Sequence, residues 1–440
     1  MGFDFSRRQW LTIVVISIAD FCNAICVALQ APFYPQEAEK KGCTATEFGL
    51  VFGVFELVVF LVSPIYGAHL NKLGPKLLFN GGILTTGTCA ILFGMLDKVE
   101  GHVPFITLSF IIRIIEAMGN AAFLTASFAI IAKEFPNNVA TMFASLETFF
   151  GLGLIVGPTL GGALYDFGGY SLPFAVLGSA LFCAAVMSCL VLPKSHDDED
   201  LKPSGPSMIS LLKVPGVLLS ALSIMMTSMS IGFLQATLGT TSSSSLMFVI
   251  NGGVYAVSAP GWGWLCDHPA IKQKYVIAVG CAFVSAGFLL IGPAPFFDMG
   301  TQMWAVILGL TLHGLGMGSQ LVASFSDALG TAIASGLPNS IETYGLVSGM
   351  WTSTFALGAF IGPTVSGLLF DSIGFRSSTL FVFILHLIVM VMMLMFTWTC
   401  DRSSKMDVSV SAGDLLQIDG TLDESVLIGD KFLPPPRTKR

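Results

Sequence analysis

The chain has 440 residues, 53% hydrophobic and only 11% charged, with a formal net charge of −7 and a mean hydropathy of +0.78. Soluble domains carry about 25% charged residues, so a polar surface cannot cover this composition and most of the outside must face lipid. The small negative charge sits in polar breaks and the tail, which leaves no basic footprint for nucleic acid.

A membrane span takes roughly 20 apolar residues, and the chain alternates apolar blocks with short polar breaks. Twelve helices are expected, over 10–32, 46–68, 76–96, 103–130, 138–164, 171–192, 214–236, 245–266, 273–292, 302–328, 344–369 and 377–398. The first block contains Asp20 and lacks a small-residue cleavage site, so it reads as a retained helix. Arg7, Arg8, Lys72, Lys76, Lys133, Lys194, Lys202, Lys213, Lys272, Lys274, Arg402 and Lys405 all fall on one side of this arrangement. The other side has Lys40, Lys41, Lys98 and Arg376. The positive-inside rule therefore puts both termini and the middle loop in the cytoplasm. The acidic, Pro/Gly/Ser-containing run KSHDDEDLKPSGPS divides the chain into six helices (1–192), a linker (193–213), six more helices (214–400) and a polar tail (401–440) expected to be disordered. The nine cysteines lie mostly in apolar blocks without a C-x-x-C, and read as small core residues rather than a disulfide or metal set.

The two halves repeat. Residues 152–170, LGLIVGPTLGGALYDFGGY, match 357–375, LGAFIGPTVSGLLFDSIGF, at an offset of 205. LTASFAIIA at 124–132 matches LVASFSDAL at 321–329, and the break Gly67 to Lys72 corresponds to Gly263 to His268. Three matches in the same order make an all-α membrane protein of two six-helix pseudo-repeats. Within the repeated stretch Gly157, Gly161 and Gly362 are small enough for close helix approach, while Pro158 and Pro363 remove a backbone hydrogen bond and permit a bend. These two helices are expected to form the seam between halves.

Ionisable residues at membrane depth are costly and point to function. They are Asp20, Glu56, Arg113, Glu116, Glu147, His313 and Asp327. Arg113 and Glu116 share a helical face and either neutralise each other or serve transport. The internal offset sets Glu116 opposite His313, where the two would meet and exchange a proton. Glu342 lies near a helix end and reads as interfacial. Five acids against one obligate cation fit a cationic substrate, a proton cycle, or both. No nucleotide-binding glycine loop, metal cluster or nucleophile–base pair is found, so neither an enzyme nor a cofactor is expected.

These features resemble the major facilitator superfamily of transporters. Gly67, Lys72, Gly74 and Lys76 resemble its loop motif G-x-x-x-D-R-x-G-R-[RK], a latch between halves. Asn71 here replaces the usual acid and Pro75 an arginine, while Asp267 keeps the acid in the second half. The Gly151–Gly162 stretch is similar to the glycine-proline motif of its proton-coupled antiporters. Asp20 in the first helix and Asp327 in FSDALG resemble acids that the vesicular amine transporters use for amine binding and proton coupling. FPNNVAT, SLETFFGLGLIVGPTLGG, LVSGMWTSTFALGAFIGPT, PFYPQEAEKKG and ILFGMLDKV are more similar to that family's polyamine branch. The resemblance implies a monomeric proton-coupled antiporter in a lipid bilayer, loading organic cations, polyamines first, into acidic vesicles. Glu147 would join Asp20 in balancing several positive charges, and Phe149, Phe150, Tyr255 and Trp351 would add cation–π contacts. Monoamines, acetylcholine or drug cations at the plasma membrane stay open as substrates, as does a non-transporting receptor or scaffold. Asp423, Leu427 and Ile428 fit the acidic dileucine pattern that clathrin adaptors read for vesicular routing.

Overall fold

The computed structural model describes residues 5–191, 206–238, 244–293 and 302–418, the last eighteen or so as backbone only. Those residues are almost all helical. The first half holds α1 (Arg7–Lys40), α2 (Ala45–Leu73), α3 (Pro75–Phe93), α4 (His102–Glu134), α5 (Val139–Gly168) and α6 (Ser171–Val191). A five-residue helix, α7 (Met208–Leu212), lies inside the segment expected to be linker. The second half holds α8 (Pro215–Leu238), α9 (Ser244–Cys266), α10 (Gln273–Ile291), α11 (Met303–Ala334), α12 (Ile341–Ile373) and α13 (Phe375–Ile418). Eleven of these helices are long and apolar enough to cross a membrane. The remaining long one, α9, has 23 residues.

Several helices run longer than the apolar blocks. At 1.5 Å per residue, the 33 residues of α12 reach about 50 Å, well beyond a hydrocarbon core of about 30 Å. The first helix continues through Pro32 and Pro35 to Lys40 instead of ending at the prolines. Neighbouring helices in a membrane re-satisfy the carbonyls that proline frees. The last helix continues to Ile418, past the boundary at 400, because no proline follows Arg376 until Pro434 and each added residue gains a hydrogen bond once a helix exists.

One compact unit extends to Leu394, and a second begins at Met395. Within the first, helix contacts follow the repeat. The pair α1–α5 corresponds to α8–α12, α2–α4 to α9–α11, and α3–α4 to α10–α11. The halves meet where α2 lies along α12 and α5 along α9. The outside is apolar, with Leu190 and Val257 each 82% exposed. Such side chains belong in lipid. Buried polar side chains such as Asp20, Asn23, Gln30, Arg113 and Glu116 gather inside.

Candidate functional site

The breaks at Leu73–Pro75, Phe135–Asn138, Asp267–Lys272 and Ser335–Ser340 lie together at the end where α1 begins, here called the basic end. Arg8 joins α1 to Glu134 at the end of α4 across 2.7 Å, and Lys76 donates to the Cys189 carbonyl of α6 at 3.0 Å. At this end two related latches cross between the halves. In one, the Asp267 carboxylate accepts the free amides of Ala140 (3.0 Å) and Thr141 (2.8 Å) at the start of α5. A helix N-terminus leaves such amides unpaired and carries partial positive charge, so an acid suits it. Burial pushes the Asp267 carboxyl above its ordinary range, and hydrogen bonds from Thr141 and Ala140 oppose that shift. In the other latch, Asn71 donates to Glu342 in the first turn of α12 at 2.6 Å. The acid missing from the loop is thus supplied by the facing helix, and Glu342 holds the halves together rather than resting at the interface.

Glycine makes both crossings close. A Cβ on Gly263 would lie 2.7 Å from the Ala140 carbonyl oxygen, and one on Gly345 would lie 2.7 Å from the Gly67 carbonyl oxygen. Inward of the latches, Phe128, Phe143, Phe325 and Trp351 from α4, α5, α11 and α12 form an aromatic plug. Phe143 and Phe325 stack at 4.4 Å, and Trp351 packs on Phe128 at 5.1 Å and on Phe143 at 5.3 Å. Trp351 also donates to the Leu321 carbonyl at 3.3 Å, which fixes its ring in this cluster. The basic end is closed.

The repeated glycine-proline stretches sit beside the seam, but their glycines face inward within each half. A Cβ on Gly153 would meet Ala24 at 2.6 Å and one on Gly157 would meet Ala28 at 3.0 Å; Gly161 adjoins Leu29 and Phe33. All are α1 residues. Gly358 and Gly362 lie likewise against Met229 of α8, and Pro363 against Gly232. The seam expected between these two helices is instead α5 on α9 and α12 on α2. Gly151, just before the repeated α5 stretch, faces across, onto Tyr255 and Ala256.

That α1–α5 packing brings two carboxylates together. Asp20 and Glu147 are 2% and 5% exposed and lie within range of each other's charge. Glu147 stands two turns inside α5 and accepts from the Tyr255 hydroxyl of the opposite half. Asp20 Oδ1 is buried with no hydrogen-bond partner among the described residues. Ten residues further along α1, Gln30 donates to Glu116 Oε1 at 2.7 Å, while Arg113 donates to Glu116 Oε2 at 3.0 Å. The Arg113 guanidinium lies 4.1 Å from the Phe55 ring centroid and 5.5 Å from that of Phe52, and its charge also reaches Glu56. One guanidinium therefore serves two acids.

The second half is arranged differently. His313 does not meet Glu116. Its ring nitrogens bond Ser230 and Asn251, each at 2.9 Å, inside its own half. The sequence offset aligned positions in the repeat, and equivalent positions face their own half's neighbours. Asp327 is paired with Lys274 at 2.5 Å and accepts from Ser220 at 2.6 Å. The excess of acids is therefore smaller than the sequence count and lies in the first half. Lys274 was missed because it sits near the start of α10, where it reads as a loop charge. Its place beside a helix N-terminus, unfavourable to a cation, was the available signal. A hydroxyl face on α8 was missed as well. Ser223 and Thr227 bond Gln320 at 3.2 and 2.9 Å, beside the Ser220 and Ser230 contacts. Its spacing of three or four residues was legible. Asp423, Leu427 and Ile428 lie outside the described residues.

A family model described as Major Facilitator Superfamily matches residues 16–331. The human protein named MFS-type transporter SLC18B1 is 36% identical over 84% of this chain and 82% of its own length. The human chromaffin granule amine transporter is 24% identical over 75% of this chain and 61% of its own. Among solved structures, the human organic anion transporter MFSD10 superposes with a TM-score of 0.69 at 17% identity, covering 88% of this chain and 99% of that one. The transporter FucP in an outward conformation gives 0.70 at 16%, with the same coverage.

Proposed function

The chain belongs to the Major Facilitator Superfamily, and from that membership we propose that it is a proton-coupled antiporter moving polyamines by alternating access. It is a multi-pass membrane transporter and not an enzyme. The observation that carries the substrate class is the spread of charge along α1. Asp20 and Glu147 lie at one level, and Glu56, Glu116 and Arg113 at the other, around Gln30. Four carboxylates against one guanidinium leave a surplus that matches the three charges of spermidine. Ten residues of helix separate the levels by about 15 Å. An extended polyamine bridges that distance and a monoamine does not. The unpartnered Asp20 oxygen suits an ammonium donor.

In the proposed cycle, both termini are cytosolic, and the basic end with its latches and plug is the cytosolic gate. With that gate shut, the carboxylates face the acidic lumen of a vesicle, take up protons, and release the cation. Each pH unit across the membrane supplies about 1.4 kcal/mol per proton returned, roughly tenfold in accumulated substrate. Return to the cytosolic face deprotonates the acids and readies them for the next cation.

Uptake into proteoliposomes with an acidic interior, comparing spermine, spermidine, serotonin and acetylcholine, tests this reading. Saturable spermine and spermidine uptake that collapses with the pH gradient is expected. Preference for serotonin would move the substrate to monoamines, in line with the similarity to the chromaffin granule amine transporter. Folded protein that takes up none of the four would overturn the transport assignment.

A further inference from the structure

At the end opposite the latches, three side chains of metal-ligand type converge: Cys43, Glu47 and His102, whose ligand atoms all lie within 4.8 Å of one another. The cluster goes beyond the sequence reading, which expected no metal set. Its members are spread over 43, 47 and 102, and only the fold unites them. Local backbone chemistry presents each one. Gly42 takes φ +83° after α1, the Cys43 amide turns back onto the Ala38 carbonyl at 2.9 Å, and Cys43 is buried, 6% exposed. Gly101 takes φ +87° and starts α4 with His102 as its first residue. Positive φ favours glycine, and here it aims two ligands from separate turns at one place.

The third ligand is set by a cap. Thr44 and Glu47 form a capping box at the start of α2, in which Glu47 Oε2 accepts from the Thr44 amide at 2.7 Å and its hydroxyl at 3.0 Å. That fixes the carboxylate and leaves Oε1 facing His102 Nε2 at 3.0 Å. The imidazole nitrogen is buried and makes no hydrogen bond of good geometry. Its polar neighbour is the Glu47 carboxylate, the second ligand of the cluster.

We propose that Cys43, Glu47 and His102 form a transition-metal site, with Zn²⁺ the preferred ion. Sulfur, imidazole and carboxylate together suit a borderline-soft ion and exclude Ca²⁺ and Mg²⁺, which take oxygen ligands. Tetrahedral bonds of about 2.0–2.3 Å set ligand atoms roughly 3.3–3.8 Å apart. Glu47 Oε1 and His102 Nε2, 3.0 Å apart, lie a few tenths of an ångström inside that spacing, all three ligand atoms lie within 4.8 Å, and the Glu47 and His102 side chains are 32% and 39% exposed. A thiolate and a carboxylate neutralise the dication, which offsets its place near two helix N-termini. Water completes the shell. The metal would tie the α1–α2 turn to the start of α4, and so brace the first half at the end where the carboxylates open.

Metal-stripped full-length protein in detergent, titrated with Zn²⁺ by calorimetry and with Co²⁺ by absorption, provides the test. One ion per chain and a thiolate-to-cobalt charge-transfer band are expected. Affinity should fall by about tenfold or more in Cys43→Ser and in His102→Gln, and stay unchanged in Cys183→Ser. No bound ion, no thiolate band, or equal affinity in Cys43→Ser would overturn the site. If a variant fails to fold, the native chain still decides. Zn²⁺ should slow alkylation of Cys43, mapped by mass spectrometry, and leave Cys183 unaffected; an unchanged Cys43 rate refutes the proposal. These readouts measure the metal alone and do not depend on which cation the protein carries.

Discussion

Replacing Gly263 by Ala adds one carbon at the tightest point of the α5–α9 crossing. The new Cβ would lie 2.7 Å from the Ala140 carbonyl oxygen and Ala144 Cβ, and 2.8 Å from Thr141 Cα. These are backbone or fixed atoms, so no side chain can swing away. Ordinary carbon contacts need about 3.5 Å or more, so α9 must move off α5 by several tenths of an ångström. That movement also stretches the Asp267 hydrogen bonds to Ala140 and Thr141, now 3.0 and 2.8 Å. Overpacking of this kind costs about 1–3 kcal/mol. In the proposed alternating-access cycle the open state separates this crossing, so the cost falls on the closed state. The closed-to-open ratio at the basic end should therefore fall by roughly 5- to 150-fold. Spin labels at the exposed positions Lys72 and Ala270, one on each half, read this as a longer distance population in double electron–electron resonance. A distribution identical to that of the unsubstituted protein would refute the claim that this crossing holds the gate shut.

Two further perturbations follow from the charged contacts. Lys274→Met leaves Asp327 buried without its cation, which should cost about 3–5 kcal/mol and lower the thermal unfolding temperature; adding Asp327→Asn should restore most of it. A double variant no more stable than the single would mean that the pair contributes little. The Asp267 pKa is raised by burial in the closed state, so that state binds a proton more tightly than an open state in which the carboxyl is solvated. Acidifying from pH 7 toward 4 should then raise the closed fraction, and Asp267→Asn should remove that part of the pH response. A response unchanged in the variant would assign it to another group.

Much of the architecture was legible because membrane helices write their length and period plainly. The polar breaks marked the helix order, and matched stretches such as 152–170 and 357–375 marked the repeat. The loop correspondence of Gly67 with Gly263 has a direct structural counterpart, since each glycine admits the opposing helix at its half's latch. What a repeat cannot specify is which neighbour a residue faces. The glycines of α5 pack on α1 and not across the seam, and His313 takes Ser230 and Asn251 as partners rather than Glu116. Partners supplied from distant helices were equally hidden. Lys274 for Asp327, Glu342 for Asn71 and Tyr255 for Glu147 are each separated by many residues and meet only through packing. Asp20 stood out in the sequence as an acid within an apolar helix, and its burial beside Glu147 gives that observation a local chemistry.

The exchange of protons for a polyamine at Asp20 is the claim on which the account turns. Proteoliposomes enclosing a pH dye and holding an acidic interior measure it directly when spermine is added outside. The account predicts that spermine drives protons out and raises the interior pH, that Asp20→Asn abolishes this while the variant remains folded, and that serotonin evokes little response. Spermine-driven proton efflux of equal size in Asp20→Asn would contradict it.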